Sequence, residues 1–375
     1  MSLSRIVSVG VLAAAVVMAG APAASAAESV AVIAKKLDNP RGIALGPKGS
    51  LLVAEAGKGG KGPCIPSPED PAAQVCLGRS SALTVLTRDD DDWEKKRIVT
   101  GLPSVANKDG SFALGLHDIT LMDGKVLGTI GLGGSPEVRK KLGKDGRLLG
   151  HLVTLRPSVR SIVDLAEYEA KNNPDGKEPG SAVDSNPYGI LAKGDQVYVT
   201  DAGGNTLLAV TKKKNVSTVA VFRPRMVRPP SNIPNLPPRI PMQGVPTAVA
   251  KGPDGALYVG ELTGFPFLKN GARVWKLEKG KRPAVSHGGF TNIIDVTFDR
   301  KGRMLVLLIS KNGLASGPGS TVGALIRVEK SGIWKELAAG KLTMPGGVAV
   351  ARDGTIYVTN KSVTPGGGEV LRIRE

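Results

Sequence analysis

Apolar and polar positions along this chain fall into a unit that returns six times. Each copy opens on a turn-forming Pro or Gly and a short apolar stretch, passes an Asp-Gly-like turn, and closes on a second apolar stretch ending in a polar residue. Four copies are full: Pro40-Arg-Gly-Ile-Ala-Leu45 with Leu51-Leu-Val-Ala-Glu55, Pro187-Tyr-Gly-Ile190 with Val197-Tyr-Val-Thr-Asp201, Pro246-Thr-Ala-Val-Ala250 with Leu257-Tyr-Val-Gly-Glu261, and Pro345-Gly-Gly-Val-Ala349 with Ile356-Tyr-Val-Thr-Asn360. Two lack the proline: Leu116-His-Asp-Ile-Thr120 with Val126-Leu-Gly-Thr129, and Ile293-Ile-Asp-Val-Thr297 with Met304-Leu-Val-Leu-Leu308. A unit too small to bury its own apolar faces implies an array.

After each copy come a third apolar run, a charged turn and a fourth run, as in Ala82-Leu-Thr-Val-Leu-Thr87, Asp89 to Asp92, and Trp93 to Val99. Four short strands joined by hairpin turns describe a propeller blade. The pattern therefore predicts an all-β, six-bladed β-propeller with four antiparallel strands per blade. The last copy offers only one further strand, Glu369-Val-Leu-Arg-Ile373, whereas Val30-Ala-Val-Ile-Ala34 has no partner of its own. Pairing the two completes the sixth blade and closes the ring, which removes exposed sheet edges. First-strand anchors at residues 40, 116, 187, 246, 293 and 345 are unevenly spaced, which places insertions at about 57–79, 139–147, 166–183 and 223–244. The third is expected to hold a helical turn around Asp164 to Lys171. Seven prolines in the fourth predict a polyproline-like crossing of one face.

The first 26 residues read as an export leader, with Arg5, an apolar run from Ile6 to Ala19, and Ala24-Ser25-Ala26, the small-x-small pattern that a signal peptidase accepts. The expectation is a secreted or extracytoplasmic chain cleaved near Ala26, with residues 27–375 as one domain, no transmembrane anchor and a monomeric state. Two cysteines alone, Cys64 and Cys76, share one Gly/Pro-rich segment, and an exported chain permits a disulfide between them. Two cysteines with the dispersed His117, His151 and His287 do not assemble a zinc site.

Lysine and arginine number 50 against 33 acids, a formal +17 that becomes +16 once Arg5 leaves with the leader. Such a chain adheres to anionic surfaces, and a cell-envelope polyanion, a secreted protein or a small metabolite is the expected partner. Specific nucleic-acid binding is not expected, because aromatics make up only 4% of residues and no groove-reading element is present.

The run Val197-Tyr-Val-Thr-Asp-Ala-Gly-Gly-Asn-Thr206 resembles the NHL repeat. The longer block from Pro246 to Phe267, with Asn186-Pro-Tyr-Gly-Ile190, Val219-Ala-Val-Phe222 and Thr291-Asn-Ile-Ile-Asp-Val-Thr-Phe298, resembles the ScyD/ScyE family of exported bacterial proteins. That resemblance runs from about Val30 to Ile373 and implies a secreted or periplasmic six-bladed propeller. It implies no reaction and no catalytic residues.

Polar side chains able to reach a central channel are few. Those on or beside first strands are His117, Asp118, Tyr188 and Asp295; those ending second strands are Glu55, Asp201, Glu261 and Asn360. Asp118, Glu261 and Asp295 converging on the axis would hold a Ca²⁺ through oxygen ligands, with His117 as a general base. For Asp201, followed by Ala-Gly-Gly-Asn205, holding the next turn through backbone N–H groups is the economical account. Asn205, Phe265 and Phe267 would add a recognition surface, or in the case of the two rings pack beneath the Pro-rich crossing. His151 and His287 are expected on outer strands or their edges, partly exposed. Neither Gly-x-Ser-x-Gly, nor His-Glu-x-x-His, nor a phosphate-cradling loop is present. A binding or scaffold module and a metal-assisted lactonase or lyase therefore stand as the two readings.

Overall fold

Runs of five or six residues rich in Val, Ile, Leu and Tyr, interrupted by Gly and Asp-Gly turns, favour short paired strands over helices. A computed structural model of the chain describes residues 28–375 apart from 69–72, 91, 180–181 and 232–234. The expected leader lies outside the described residues. Six antiparallel sheets follow one another along the chain, each with four blade strands, and the first also carries a short fifth strand. They form a six-bladed β-propeller. Inner strands of blades 1 to 6 are Pro40–Leu45, Leu116–Met122, Pro187–Lys193, Pro246–Lys251, Ile293–Phe298 and Gly347–Val350.

The N-terminal strand Ser29–Leu37 pairs with Gly368–Arg374, placing Val30 opposite Ile373 and Val32 opposite Leu371. The chain start thus supplies the outer strand of blade 6, and no blade is left with three strands. Apolar side chains pack between neighbouring blades, as where Leu305, Leu307 and Leu325 of blade 5 meet Val358 and Leu371 of blade 6. Buried threonines latch the seams. Thr129 Oγ1 donates to the Tyr188 carbonyl (2.5 Å), Thr247 Oγ1 to Ile293 (2.8 Å) and Thr359 Oγ1 to Arg41 (2.6 Å), each in the next blade.

In a four-stranded antiparallel blade, the connections from second to third strand and from fourth strand to the next blade emerge at the same end. All four insertions are of these two kinds, so one face is loop-rich and the other has short turns. Two insertions differ from the sequence reading. The first is largely strand: blade 1's third and fourth strands run Gln74–Asp89 and Asp92–Ala106, and Cys64–Pro66 pairs alongside. Burial of Ile65, Val75, Leu77 and Val105 beneath this ribbon explains the extension. A disulfide joins Cys64 to Cys76, S–S 2.03 Å. The fourth is not a plain polyproline crossing, because Arg225–Val227 and Ile240–Met242 form a hairpin, anchored by the fully buried Met242. In the second and third, helices α1 (Pro136–Lys140) and α2 (Leu165–Asn172) form, the latter capped by Asp164, whose side chain accepts the Glu167 amide. No helix among the described residues is long and apolar enough to cross a membrane.

Candidate functional site

Around the axis, the residue after each first-strand anchor is Arg41, His117, Tyr188, Thr247, Ile294 and Gly346, and the next is Gly42, Asp118, Gly189, Ala248, Asp295 and Gly347. Arg41, His117 and Tyr188 are all buried, at 6%, 0% and 8% exposure. They fill the centre with side chains. The His117 and Tyr188 rings lie 4.6 Å apart. Sequence reasoning misses Arg41, although its register with His117 and Tyr188 marks it as an axial residue.

Asp118 and Asp295 sit in blades 2 and 5 and each bridges to the next blade. Asp118 accepts the amides of Ile119 (2.8 Å) and Ile190 (3.0 Å); Asp295 accepts those of Val296 (2.7 Å) and Val348 (2.8 Å). Gly42 is required beside Asp118, since a Cβ there would stand 2.0 Å from Asp118 Oδ1. Burial pushes both acids up, Asp295 to about 7, and repulsion from Asp295 lifts Asp118 further. The doubly ionised pair is therefore disfavoured.

Burial, then the nearby Arg41 charge, pulls His117 down to about 3, so its imidazole is neutral. Its Nδ1 lies 3.1 Å from the Pro187 carbonyl, which can only accept, so the proton sits on Nδ1. Nε2 of His117 and Nε of Arg41 are buried without hydrogen-bond partners, and the buried Tyr188 hydroxyl lies beside the Arg41 side chain. Burial raises the Tyr188 phenol. The axis thus holds a weakly basic imidazole lone pair, two donors and two carboxyls of raised pKa, carried by side chains that are themselves buried.

The residues ending second strands do not join this group. Glu261 is tied to Arg225 (2.5 Å) and to Trp275 Nε1 (2.9 Å), so the expected metal set of Asp118, Glu261 and Asp295 does not assemble. Burial raises Glu261, and Arg225 opposes the rise. Asp201 accepts from Ser185 Oγ (2.6 Å) and from the amides of Asn186, Gly203 and Gly204, the turn-holding duty its sequence context suggests. Asn360 holds the Thr343 amide (2.8 Å) and donates to Glu369 (2.9 Å). Asn205 Oδ1 accepts the Val245 amide at 3.0 Å. Glu55 binds Arg97 through both oxygens, at 2.9 and 2.6 Å. Phe265 is 42% exposed on the loop-rich face, while Phe267 is half-buried. His151 departs from expectation: it is buried at the start of its strand, with Nε2 3.1 Å from Asp164.

On the face of short turns, a groove of about 350 Å³ opens between blades 2 and 3. Lys125, Arg160, Lys212 and Lys214 line it against Asp123 and Asp195, and apolar Leu127, Val197 and Val210 form its floor. Lys212 bridges both acids, at 3.1 and 2.8 Å, leaving three exposed cations around it.

No family model matches the chain, and no curated protein matches it in sequence. Solved structures match in shape. One from Thermus thermophilus, assigned as an oxidoreductase (glucose dehydrogenase), is 18% identical over 93% of this chain and 100% of its own, with a TM-score of 0.53. A protein of unknown function from Bacteroides thetaiotaomicron is 9% identical over 92% and 76%, TM-score 0.54. Virginiamycin B lyase from Staphylococcus aureus is 11% identical over 93% and 99%, TM-score 0.46. At such identities the likeness shows the propeller fold and nothing of activity.

Proposed function

We propose that this chain is an exported binding module that grips an anionic envelope partner through the groove between blades 2 and 3. The observation that carries this reading is the rim of Lys125, Arg160 and Lys214 around the Lys212 pair with Asp123 and Asp195, over an apolar floor, on a chain with a formal charge of +17. A polyanion with some apolar surface, such as a lipid-linked wall polymer, complements both. Export follows from the leader-like residues 1–26, and the resemblance to the ScyD/ScyE family supports the same compartment. Retention of the purified chain on immobilised lipoteichoic acid at rising salt tests this. Lys125→Glu with Lys214→Glu should elute at clearly lower salt, because exposed charges are screened within about 10 Å at 0.1 M. Equal elution of the double variant and the parent overturns the groove as the site.

A second reading, an enzyme of the lactonase or lyase type, is favoured by one observation: Asp118, Asp295 and His117 have perturbed pKa values and lie near one another. It is the weaker reading, since four backbone amides occupy the two acids. Lactone hydrolysis by the purified chain, lost in Asp118→Asn, would restore it.

A further inference from the structure

Between blades 2 and 3, on the loop-rich face, the third insertion gathers acids that the axis does not use. Helix α2 carries Glu169, the turn after it Asp175, the segment entering blade 3 Asp184, and Asp201 ends that blade's second strand. Glu169 is 0% exposed, and neither of its carboxylate oxygens has a hydrogen-bond partner. Asp184 Oδ1 is also buried without one. Both face the Gly203-Gly204 turn: a Cβ on Gly204 would stand 2.6 Å from Glu169 Oε2, and one on Gly203 would stand 2.8 Å from Asp184 Oδ1. Asp201 is held by the turn it caps, and Asp175 Oδ2 accepts from Asn205 Nδ2 at 2.9 Å.

Burial, then the charges of Asp201, Asp175 and Asp184, lifts Glu169 to about 8. Burial, Asp201 and Asp175 lift Asp184 to about 7. Among the described residues, the charges acting on these two are other carboxylates, with no lysine or arginine set against them. A buried acceptor-only cluster of this kind is costly unless something supplies positive charge.

We propose that Glu169 and Asp184, flanked by Asp175 and Asp201, form a Ca²⁺ site that ties helix α2 to the entrance of blade 3. The donors are all carboxylate oxygens with no His or Cys, the set of a hard cation, and Ca²⁺ tolerates an irregular shell of about six to eight oxygens completed by water. The acids are neighbours and not a finished shell, because no three His, Cys, Asp or Glu side chains among the described residues converge as metal ligands do. No hydrogen bond restrains the Glu169 carboxylate, so its side chain is free to turn toward Asp184 and Asp201 when a cation binds. The glycines at 203 and 204 leave room for that rotation, which a side chain at either would block.

The test uses the purified full chain stripped of divalent ions with a chelator, titrated with CaCl₂ by calorimetry and melted with and without Ca²⁺. The expected result is saturable binding and a higher Tm with Ca²⁺. Affinity should fall by about tenfold or more in Glu169→Gln and in Asp184→Asn, and stay unchanged in Asp118→Asn. The second variant keeps the test decisive if the first fails to fold. Absence of binding heat and of any Tm rise up to millimolar Ca²⁺ overturns the proposal. So does binding that is lost in Asp118→Asn and kept in both other variants. If Ca²⁺ leaves the parent unchanged and Glu169→Gln melts higher, the acids are neutral, protonated partners and no cation site exists.

Discussion

Replacing Asp295 by Asn probes the axial pair directly. In the fold, burial lifts Asp295 from 3.8 to about 7. Because its folded pKa lies above its unfolded one, the stability tied to this group is fully present below about pH 4 and is lost as pH rises through about 7. At 1.36 kcal/mol per pKa unit the whole loss has an upper bound of about 4 kcal/mol, of which about 3 kcal/mol falls above pH 5. Asn keeps one acceptor oxygen, so one of the amides of Val296 and Val348 loses its partner, at a pH-independent cost of about 1–3 kcal/mol. It also removes the repulsion felt by Asp118. The variant should therefore be less stable than the parent at about pH 5 and draw level or surpass it at about pH 8, a relative swing of up to about 3 kcal/mol. Urea midpoints of the two chains at both pH values, in chelator, measure the swing. Glu169 and Asp184 titrate in the same direction but occur in both chains and cancel. A stability difference that is constant with pH refutes the reasoning, since Asp295 would then not titrate differently on folding.

Arg97→Ala should cost about 2–3 kcal/mol in urea denaturation, because it strands the buried carboxylates of Glu55 and Asp38, with a discount for the 40% exposure of the arginine; an unchanged midpoint would contradict the pairing. Paired Cys64→Ser and Cys76→Ser, with a sequence separation of 12, should lower stability by up to about 3 kcal/mol. Hydrogen exchange should quicken first along the ribbon around residues 74–79; uniform protection there would show that the buried Ile65, Val75 and Leu77 hold it unaided.

Much of the wheel is legible in the sequence because each blade repeats its own local signals. Pro or Gly before an apolar run, an Asp-Gly turn and a polar stop recur in register, so one copy corroborates the next, and the missing strand of the last copy points to Val30 as the closing piece. Side-chain partnerships drawn from insertions have no such redundancy. Glu261 reads as available for the axis because its partner Arg225 comes from the Pro-rich segment 36 residues upstream, whose hairpin the prolines obscure. Glu169 and Asp184 carry no sequence signal because each lies in non-repeating sequence and only folding sets them against Asp201. His151 reads as a rim residue, yet its strand begins under the α2 cap, where Asp164 meets it at 3.1 Å.

The residue ending the second strand shows why repetition of form does not carry repetition of chemistry here. In four blades it is polar as well as buried, as Glu55, Asp201, Glu261 and Asn360, and in each it ties down backbone or side-chain donors at the start of the loop-rich face. Yet the cation that answers it differs: Arg97 from the same blade for Glu55, Arg225 from an insertion for Glu261, and none among the groups that act on Asp201. A position whose geometry is fixed by the blade and whose neutralising charge is left to the insertions becomes a cation site wherever the insertion brings acids in place of arginine. Blade 3 is that case, since Asp201 meets Glu169, Asp175 and Asp184 where Glu55 and Glu261 meet guanidinium groups. The same logic separates scaffold from specificity: altering the repeat positions should alter stability, whereas exchanging the insertions should alter which second-strand ends hold a cation and leave the wheel, and the groove between blades 2 and 3 on the other face, intact.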